Sequence, residues 1–215
     1  MKNNKESEIK APSTFGYRLM WPILAPLFKL WYNPKVIGKE KIPKKGALVV
    51  ASNHLHVYDQ CLAIIATRRP INYMAKNEYF EGKLKGFFKF AGCIPVMRNG
   101  KDDSAVKTAL TVLKNKGAIG IFPEGTRNKT EQFLLPFKFG AVSMADKTNA
   151  MILPVGVSGD FKFRSKNLVV RFGEPFAVGN MTLPEANDKL RDEIAKLVLA
   201  NLGLENESQF KKKIG

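Results

Sequence analysis

The feature that most constrains the fold is the alternation of short apolar runs with segments of helical spacing beyond residue 46. The apolar runs are rich in β-forming residues and occupy residues 47–52, 71–75, 93–98, 118–123, 151–157 and 168–172. Strands that alternate with helices favour a largely parallel sheet with helices on both faces. A chain of 215 residues is long enough for one such domain with a substantial core. We therefore predict an α/β fold.

Two of the helical segments carry clear boundary signals. Asp103 or Ser104 is placed to cap a helix that ends near Gly117, with the predicted inward positions Val106, Ala109, Leu110 and Leu113. The sequence Thr182-Leu-Pro-Glu185 is a capping box with proline in the first turn, and it predicts a helix that ends at Gly203. The residues after 204 are polar and basic, and we expect them to fray.

The charge of the chain predicts an anionic partner. Thirty-five Lys and Arg residues stand against 19 acidic residues, which gives a net charge of +16. Such a field attracts nucleic acid, an anionic membrane surface or an acidic carrier protein. Cys61 and Cys93 lie in apolar stretches and are interpreted as small buried hydrophobes in a reducing compartment. No signal-peptide pattern is apparent, so we expect the protein on the cytoplasmic side of the membrane.

Residues 15–32 form an apolar stretch rich in aromatic side chains. Arg18 and Lys29 interrupt it, and Pro22 and Pro26 would bend it, so it is a poor candidate for a spanning helix. It suits a helix or helix pair in the membrane interface. Four amphipathic aromatic residues would then lie at headgroup depth, namely Tyr17, Trp21, Trp31 and Tyr32. The alternative is a helix packed on the domain's own core.

The chain therefore divides into three predicted parts. Residues 1–35 are a membrane-interface helical segment, residues 36–205 are the α/β domain, and residues 206–215 are a basic tail.

Two polar strings follow apolar runs, where a buried strand would end and a loop would begin. Residues 52–59 read Ser-Asn-His-Leu-His-Val-Tyr-Asp, and residues 122–127 read Phe-Pro-Glu-Gly-Thr-Arg. In open α/β sheets, ligands bind at the edge formed by the carboxyl ends of the strands. The strings therefore predict a reaction centre for a phosphorylated substrate, with a base and its orienting carboxylate on one loop and an anion-binding arginine on another.

His54 and Asp59 are the predicted base and orienting carboxylate. A separation of five residues does not align two side chains on one helical face, so the spacing fits a turn instead. The carboxylate can then bond one imidazole nitrogen while the other nitrogen faces the substrate. No serine or cysteine nucleophile is evident, so His54 would activate an alcohol of the substrate. His56 is interpreted as a packing or hydrogen-bonding residue.

Together these strings resemble the glycerolipid acyltransferase superfamily, and most closely the 1-acylglycerol-3-phosphate O-acyltransferases. That family shows Asn-His, four residues and Asp, followed later by Phe-Pro-Glu-Gly-Thr-Arg. Its intervening and downstream elements resemble residues 74–80, 92–98, 136–141 and 152–157 of this chain. The resemblance covers about residues 40–175, in the family's order.

The resemblance implies an acyltransferase domain with a glycerol-3-phosphate acyltransferase-like sheet. His54 would deprotonate the sn-2 hydroxyl of 1-acylglycerol 3-phosphate, and Asp59 would hold the imidazole ring. The oxygen would attack an acyl thioester of acyl carrier protein or coenzyme A, giving phosphatidic acid. No metal and no cofactor other than this co-substrate is implied.

The resemblance also implies a substrate-binding set. Arg127 would grip the phosphate through paired hydrogen bonds, and Lys76, Arg98 and Lys138 are further candidate cations. Glu124 would bond the glycerol moiety or position Arg127. Gly125 would let the loop, with Thr126, approach the ligand closely.

Three alternatives remain at this stage. Within the acyltransferase class, the acyl acceptor could be glycerol 3-phosphate or another lysolipid. Outside it, the chain could be a basic nucleic-acid-binding protein or a catalytically silent membrane-bound relative. No recognition helix or aromatic-studded basic strand is present, so we expect no nucleic-acid partner. We expect lysophosphatidic acid and an anionic membrane surface as partners, with peripheral or monotopic attachment.

Overall fold

The computed structural model of the chain describes residues 9–97 and 103–214. The helices of these residues are α1 (Phe15–Tyr32), α2 (Asp59–Ile64), α3 (Lys85–Phe90), α4 (Asp103–Lys114), α5 (Gly140–Asp146), α6 (Leu183–Leu202) and α7 (Glu207–Ile214). The strands are β1 (Lys35–Ile37), β2 (Leu48–Ser52), β3 (Asn72–Lys76), β4 (Ile94–Val96), β5 (Ala118–Ile121), β6 (Met151–Ser158) and β7 (Val169–Phe172). Short 3₁₀ turns cover Lys39–Lys41 and Asn77–Phe80.

The strands form one sheet in the order β1-β7-β6-β2-β5-β3-β4. Every neighbouring pair is parallel except β6 and β7, which are antiparallel. The prediction of a largely parallel sheet is confirmed. β2 lies at its centre, where Val50 is paired with Leu153 of β6 and with Gly120 of β5.

Both faces of the sheet are covered, because successive β2 side chains point to opposite faces. Val49 and Ala51 pack into a core shared with α4, α5 and α6. Leu48 and Val50 pack into a second core, which includes Ala25 of α1 and residues of α2. All five residues of β2 are therefore buried, as a central parallel strand requires.

The two predicted helices differ in outcome. The Thr182 capping box is present in full, and α6 ends at Gly203, whose φ of 66° is left-handed. The predicted inner face of α4 is partly wrong. Ala105 and Val112 are buried beside Ala109 and Leu113, whereas Val106 is exposed. The helix is therefore rotated relative to the predicted face, and its small Ala105 lies against the core.

Helix α1 is a single helix that contains both prolines. One face packs on the domain: Tyr17 is buried and donates to Thr67 O, and Trp21 Nε1 donates to Ile64 O at 2.8 Å. The ring of Tyr32 packs on Phe161. Tyr17, Trp21 and Tyr32 therefore face the protein, which corrects their predicted position at headgroup depth.

The opposite face of α1 is apolar and exposed. Six large side chains are 56–71% exposed, namely Phe15, Leu19, Ile23, Leu27, Leu30 and Trp31. Helix α3 extends this surface, because Phe90 contacts Phe15 edge to face and Leu84 and Phe87 are also exposed. We call these residues of α1 and α3 the apolar face. Across the residues that the structure describes, no helix is both long and apolar enough to cross a bilayer.

The tail does not fray over its described part. Residues 207–214 form α7, Phe210 packs edge to face on Phe133, and Glu207 pairs with Arg191 at 3.0 Å. The prediction of a frayed tail failed because it considered only polarity. Phe210 anchors the helix to Phe133 in the loop after β5, and the ion pair of Glu207 holds it to Arg191 of α6.

Candidate active site

Three predicted site residues lie at the same edge of the sheet. His54 follows the end of β2, Glu124 follows the end of β5, and Lys76 is the last residue of β3. These strands are adjacent and parallel in the order β2-β5-β3. Their carboxyl ends therefore meet, and the two polar strings come together although they are distant in sequence.

His54 and Asp59 form a hydrogen-bonded pair. The imidazole Nδ1 lies 2.8 Å from Asp59 Oδ2. The Asp59 side chain is fully buried, whereas 17% of the His54 side chain is exposed. A carboxylate acceptor fixes the neutral tautomer with hydrogen on Nδ1 and leaves Nε2 as a lone-pair acceptor. The partly exposed ring can then take a proton from a bound alcohol.

Asp59 is itself held by the turn that carries His54. Its Oδ2 accepts hydrogen bonds from the backbone N–H groups of Leu55 and His56, each at 2.7 Å. Asp59 is also the first residue of α2, where the helix dipole favours a negative charge. The carboxylate is therefore fixed by three donors, and it stabilises the imidazolium that forms when His54 takes a proton.

The His54 ring is held from one side by an aromatic ring. Phe122 stacks on it with centroids 3.8 Å apart and an interplanar angle of 11°. Phe122 in turn lies next to Tyr73, with centroids 5.8 Å apart. Stacking and the bond to Asp59 together restrict the rotation of the imidazole, so its free nitrogen has a defined direction.

Glu124 connects the two motif loops. Its Oε1 accepts the backbone N–H of His54 at 2.7 Å, and its Oε2 accepts the backbone N–H of Leu135 at 2.9 Å. The residue is only 3% exposed. Both carboxylate oxygens therefore hold backbone groups, and among the described residues no ion pair joins Glu124 to Arg127. The contact with glycerol stays a prediction. We reinterpret Glu124 as a positioning residue for the His54 loop.

Burial raises the pKa of the Glu124 carboxyl above its ordinary value. The backbone N–H groups of Leu135 and His54 act in the opposite direction, because they stabilise the carboxylate. Desolvation is the larger effect. Glu124 is thus a buried acid whose ionised form depends on these two donors.

Two asparagines that the sequence reading missed complete the frame. The backbone N–H of Asn128 donates to His54 O at 2.7 Å, so the second loop holds both backbone polar groups of His54. Asn53 bonds Val157 of β6 twice, through its Nδ2 at 2.9 Å and its Oδ1 at 2.8 Å. Each asparagine is buried. The Asn-His element of the family pattern was the signal available for Asn53.

The second loop and its surroundings supply cations. The Lys138 side chain crosses Gly125, since a Cβ there would lie 2.9 Å from Lys138 Nζ. Gly125 has a φ of 69°, so glycine suits this position both by conformation and by space. Arg127 is half-buried and forms no ion pair with any other described residue. An anion is the natural partner for this group.

The remaining predicted residues are less closely tied to His54. Thr126 is exposed on the same loop, and Lys76 is half-buried at the end of its strand. Arg98 lies outside the described residues, as does the rest of the stretch 98–102.

His56 and the cysteines do not belong to the reacting group. His56 stacks on Phe161 with centroids 4.4 Å apart, and its Nδ1 accepts the backbone N–H of Tyr58. Burial raises the pKa of Cys61 to about 12 and that of Cys93 to about 11. Neither thiol is ionised near neutral pH, so neither serves as a nucleophile.

A histidine held by a buried carboxylate, next to a cation-bearing loop, is a site for activating a hydroxyl group beside an anion. Comparison with known families identifies the class. The family described as Acyltransferase matches residues 33–158, which include both motif loops, and the chain belongs to this family.

Among individual proteins, the chain is 32% identical over 165 residues to the 1-acyl-sn-glycerol-3-phosphate acyltransferase of Bacillus subtilis. The alignment covers 74% of this chain and 81% of that protein. It is 33% identical over 141 residues to the protein of the same name from Borreliella burgdorferi, covering 64% of this chain but only 56% of that protein. The enzyme of that name from Saccharomyces cerevisiae is 29% identical, with 77% and 59% covered.

The fold has a counterpart among solved structures. The 1-acyl-sn-glycerophosphate acyltransferase PlsC from Thermotoga maritima superposes with a TM-score of 0.72 and covers 88% of this chain and 81% of that one. The sequence identity is 22%, so this likeness confirms the architecture of the predicted acyltransferase fold.

Proposed function

We propose that the protein transfers a fatty acyl group from a thioester to the sn-2 hydroxyl of 1-acylglycerol 3-phosphate, which yields phosphatidic acid. The observation that carries this proposal is the His54–Asp59 pair joined through Asn128 to the loop of Arg127, which forms no ion pair within the described residues. A base that faces solvent fits an alcohol acceptor, and a cation on the adjacent loop fits its phosphate. The names of the relatives that share more than 30% identity support the same acceptor.

The geometry of the pair supports a role for each residue in the proposed reaction. His54 Nε2 removes the proton of the sn-2 hydroxyl as that oxygen attacks the thioester carbonyl. Asp59 holds the ring and stabilises the imidazolium. Collapse of the tetrahedral intermediate breaks the carbon–sulfur bond, and the imidazolium returns the proton to the leaving thiolate. The neutral His54 base is thereby regenerated, and the proton taken from the hydroxyl leaves on the thiol.

An apolar cavity supports a substrate with an acyl chain. It has a volume of about 160 Å³ and lies between α1, α2 and α3. Its lining includes Tyr73 and Cys61, two residues beyond Asp59. Tyr73 contacts Phe122, which stacks on His54, so two aromatic rings connect the wall of the cavity to the base. The apolar lining of this cavity fits a hydrocarbon chain.

The exposed apolar face supports a peripheral position on an anionic membrane. Contiguous exposed apolar residues are unusual in a protein that works in water alone. Lys83, Lys85 and Lys89 flank the α3 part of this face, and cations of this kind attract anionic lipid. Hydrogen bonds from Trp21 and Tyr17 to the domain fix α1 in an orientation that presents the apolar face outward.

The proposal is tested by incubating the purified full chain with isotopically labelled acyl-thioesters and three acceptors. The acceptors are 1-acylglycerol 3-phosphate, the corresponding monoacylglycerol and glycerol 3-phosphate. We expect labelled phosphatidic acid with the first acceptor and little product with the others. Parallel reactions with acyl carrier protein and coenzyme A thioesters identify the donor. Preferential acylation of glycerol 3-phosphate would contradict the proposed acceptor.

A further inference from the structure

A second cleft lies at the edge of the sheet opposite to the candidate active site. It has a volume of about 470 Å³. Its walls are the segments that precede β2, β3 and β5, together with the first turn of α1. The active-site loops follow the carboxyl ends of these strands, whereas this cleft surrounds their amino ends. The five residues of β2 separate the two sites by about 15 Å at roughly 3.3 Å per residue.

The cleft is strongly basic. Five cations line it, namely Arg18, Lys44, Lys45, Arg69 and Lys116, and its other lining residues carry no acidic side chain. Within the described part of the chain, none of the five takes part in an ion pair. Gathering like charges in one concave surface is unfavourable without an anion to neutralise them. The concentration of positive charge therefore indicates an anionic ligand.

Arg69 gives the cleft a fixed shape. Its guanidinium donates to Pro43 O at 2.6 Å, to Gly46 O, and to Lys116 O at 3.3 Å. It thereby ties the loop before β2 to the loop before β5. Arg69 is consequently committed to the backbone, and the exposed Arg18, Lys44, Lys45 and Lys116 remain for a ligand. The ligand site is formed before anything binds.

The position of the cleft identifies the source of the anion. Arg18 belongs to α1, and its neighbours Phe15 and Leu19 are part of the exposed apolar face. An anion in this cleft therefore lies beside the surface that the proposed function assigns to the membrane. It is not the acceptor's own phosphate, because the glycerol hydroxyl must reach His54 at the other edge of the sheet.

We propose that this cleft binds the phosphate of an anionic membrane phospholipid, as a site separate from the acyl acceptor. The inference rests on the membrane position given under the proposed function. The apolar face and the cleft then act together, since apolar burial holds α1 in the interface while the four free cations engage a headgroup at its amino end. Lipid bound there orients the domain on the surface.

The test compares two double variants of equal charge in cosedimentation with vesicles. Lys45→Ala/Lys116→Ala removes two cleft cations, and Lys107→Ala/Lys189→Ala removes two exposed cations of α4 and α6, which cover the other face of the sheet. On phosphatidylcholine vesicles that contain phosphatidylglycerol, we expect the cleft variant to bind about 25-fold more weakly, at roughly fivefold per cation. The control should stay within about twofold, because its charges lie on the face of the sheet opposite to α1 and are more strongly screened from the lipid surface.

Binding to vesicles of phosphatidylcholine alone should be the same for all three proteins. If both variants lost binding to the anionic vesicles equally, net charge alone would explain the loss and the proposal would be overturned. An unchanged cleft variant would also overturn it, as would a cleft that binds inorganic phosphate or RNA in preference to the vesicles. Lys44→Ala/Lys116→Ala replaces the cleft variant if urea unfolding shows that the first pair is misfolded. Acyl transfer measured in uncharged detergent separates the two proposals. If the wild type and both variants all lacked acyl transfer there, the proposed function alone would be contradicted.

Discussion

Glu124→Gln isolates the role of the carboxylate that joins the two motif loops. The substitution keeps the size of the side chain but replaces one acceptor oxygen with an NH₂ group. Both oxygens of Glu124 accept backbone N–H groups, from His54 and from Leu135. A glutamine can serve only one of these donors, and its NH₂ must face the other. The variant therefore loses one charge-assisted hydrogen bond in a buried site.

The expected cost follows from that loss. The glutamine leaves one buried backbone N–H without an acceptor, which costs about 1–3 kcal/mol, so the free energy of unfolding should fall by that amount. For a domain of this size the melting temperature should fall by roughly 2–12 °C. Urea unfolding at neutral pH measures the change, and the midpoint should fall without a change in slope. Glu131→Gln is the control, since Glu131 is exposed and the charge change is the same.

Glu124→Gln should also slow the reaction without weakening substrate binding. His54 would lose a backbone anchor, and small displacements of a catalytic group cost about tenfold to hundredfold in rate. We therefore expect a lower kcat with nearly constant KM for the acceptor. A stable variant with wild-type kcat would refute the positioning role. A change confined to KM would favour the direct contact between Glu124 and the substrate that the sequence suggested.

Further predictions concern the phosphate clamp, the apolar face and pH. Arg127→Ala should raise KM for 1-acylglycerol 3-phosphate, because the lost phosphate contact is worth about 1.5–3 kcal/mol of binding free energy. An equal loss of activity on an acceptor without phosphate would mean that Arg127 has a structural role. Ile23→Glu/Leu27→Glu should release the protein from vesicles without changing its unfolding midpoint, because both side chains are exposed; retained binding would place the contact elsewhere. Burial raises the pKa of Glu124, so the stability it contributes is complete below pH 4.5 and declines as pH rises through the raised value. The difference in unfolding free energy between the wild type and Glu124→Gln should therefore decline as pH increases. A difference that grew with pH would mean that the two N–H donors outweigh burial.

The sequence was most informative where local pattern and global fold agree. Alternating apolar runs predicted the parallel sheet, and the position of both motifs after such runs predicted that they meet at one edge. The Thr182 capping box encodes its own hydrogen bonds within four residues, so its prediction needed no tertiary information.

Contacts that span the chain were not predictable in the same way. Asn53 bonds Val157 across 104 positions, and Glu124 bonds the His54 backbone across 70. Nothing in local spacing specifies such a partner, so a buried asparagine resembles an ordinary loop residue. The three-residue strand β1 is too short for a periodic signal, and it forms because β7 offers it a parallel partner.

Helix α1 illustrates a different limit. Its sequence is apolar around most of its circumference, so periodicity could not decide between packing on the core and facing a membrane. The structure assigns Tyr17 and Trp21 to the packed side and leaves Ile23 and Leu27 exposed. Deletion of residues 1–32 would therefore remove core contacts as well as the apolar face, which is why substitutions on the exposed side are the cleaner test.

The central claim is that His54, held by Asp59, is the base that activates the acceptor hydroxyl. Its most direct test is the rate of labelled phosphatidic acid formation from 1-acylglycerol 3-phosphate by the wild type, His54→Ala and His56→Ala. We expect His54→Ala to lose at least about 10²–10⁴-fold in kcat with its unfolding midpoint preserved. His56→Ala should retain most activity, because its ring packs on Phe161. More than about a tenth of wild-type activity in His54→Ala, or a larger loss in His56→Ala, would contradict the claim.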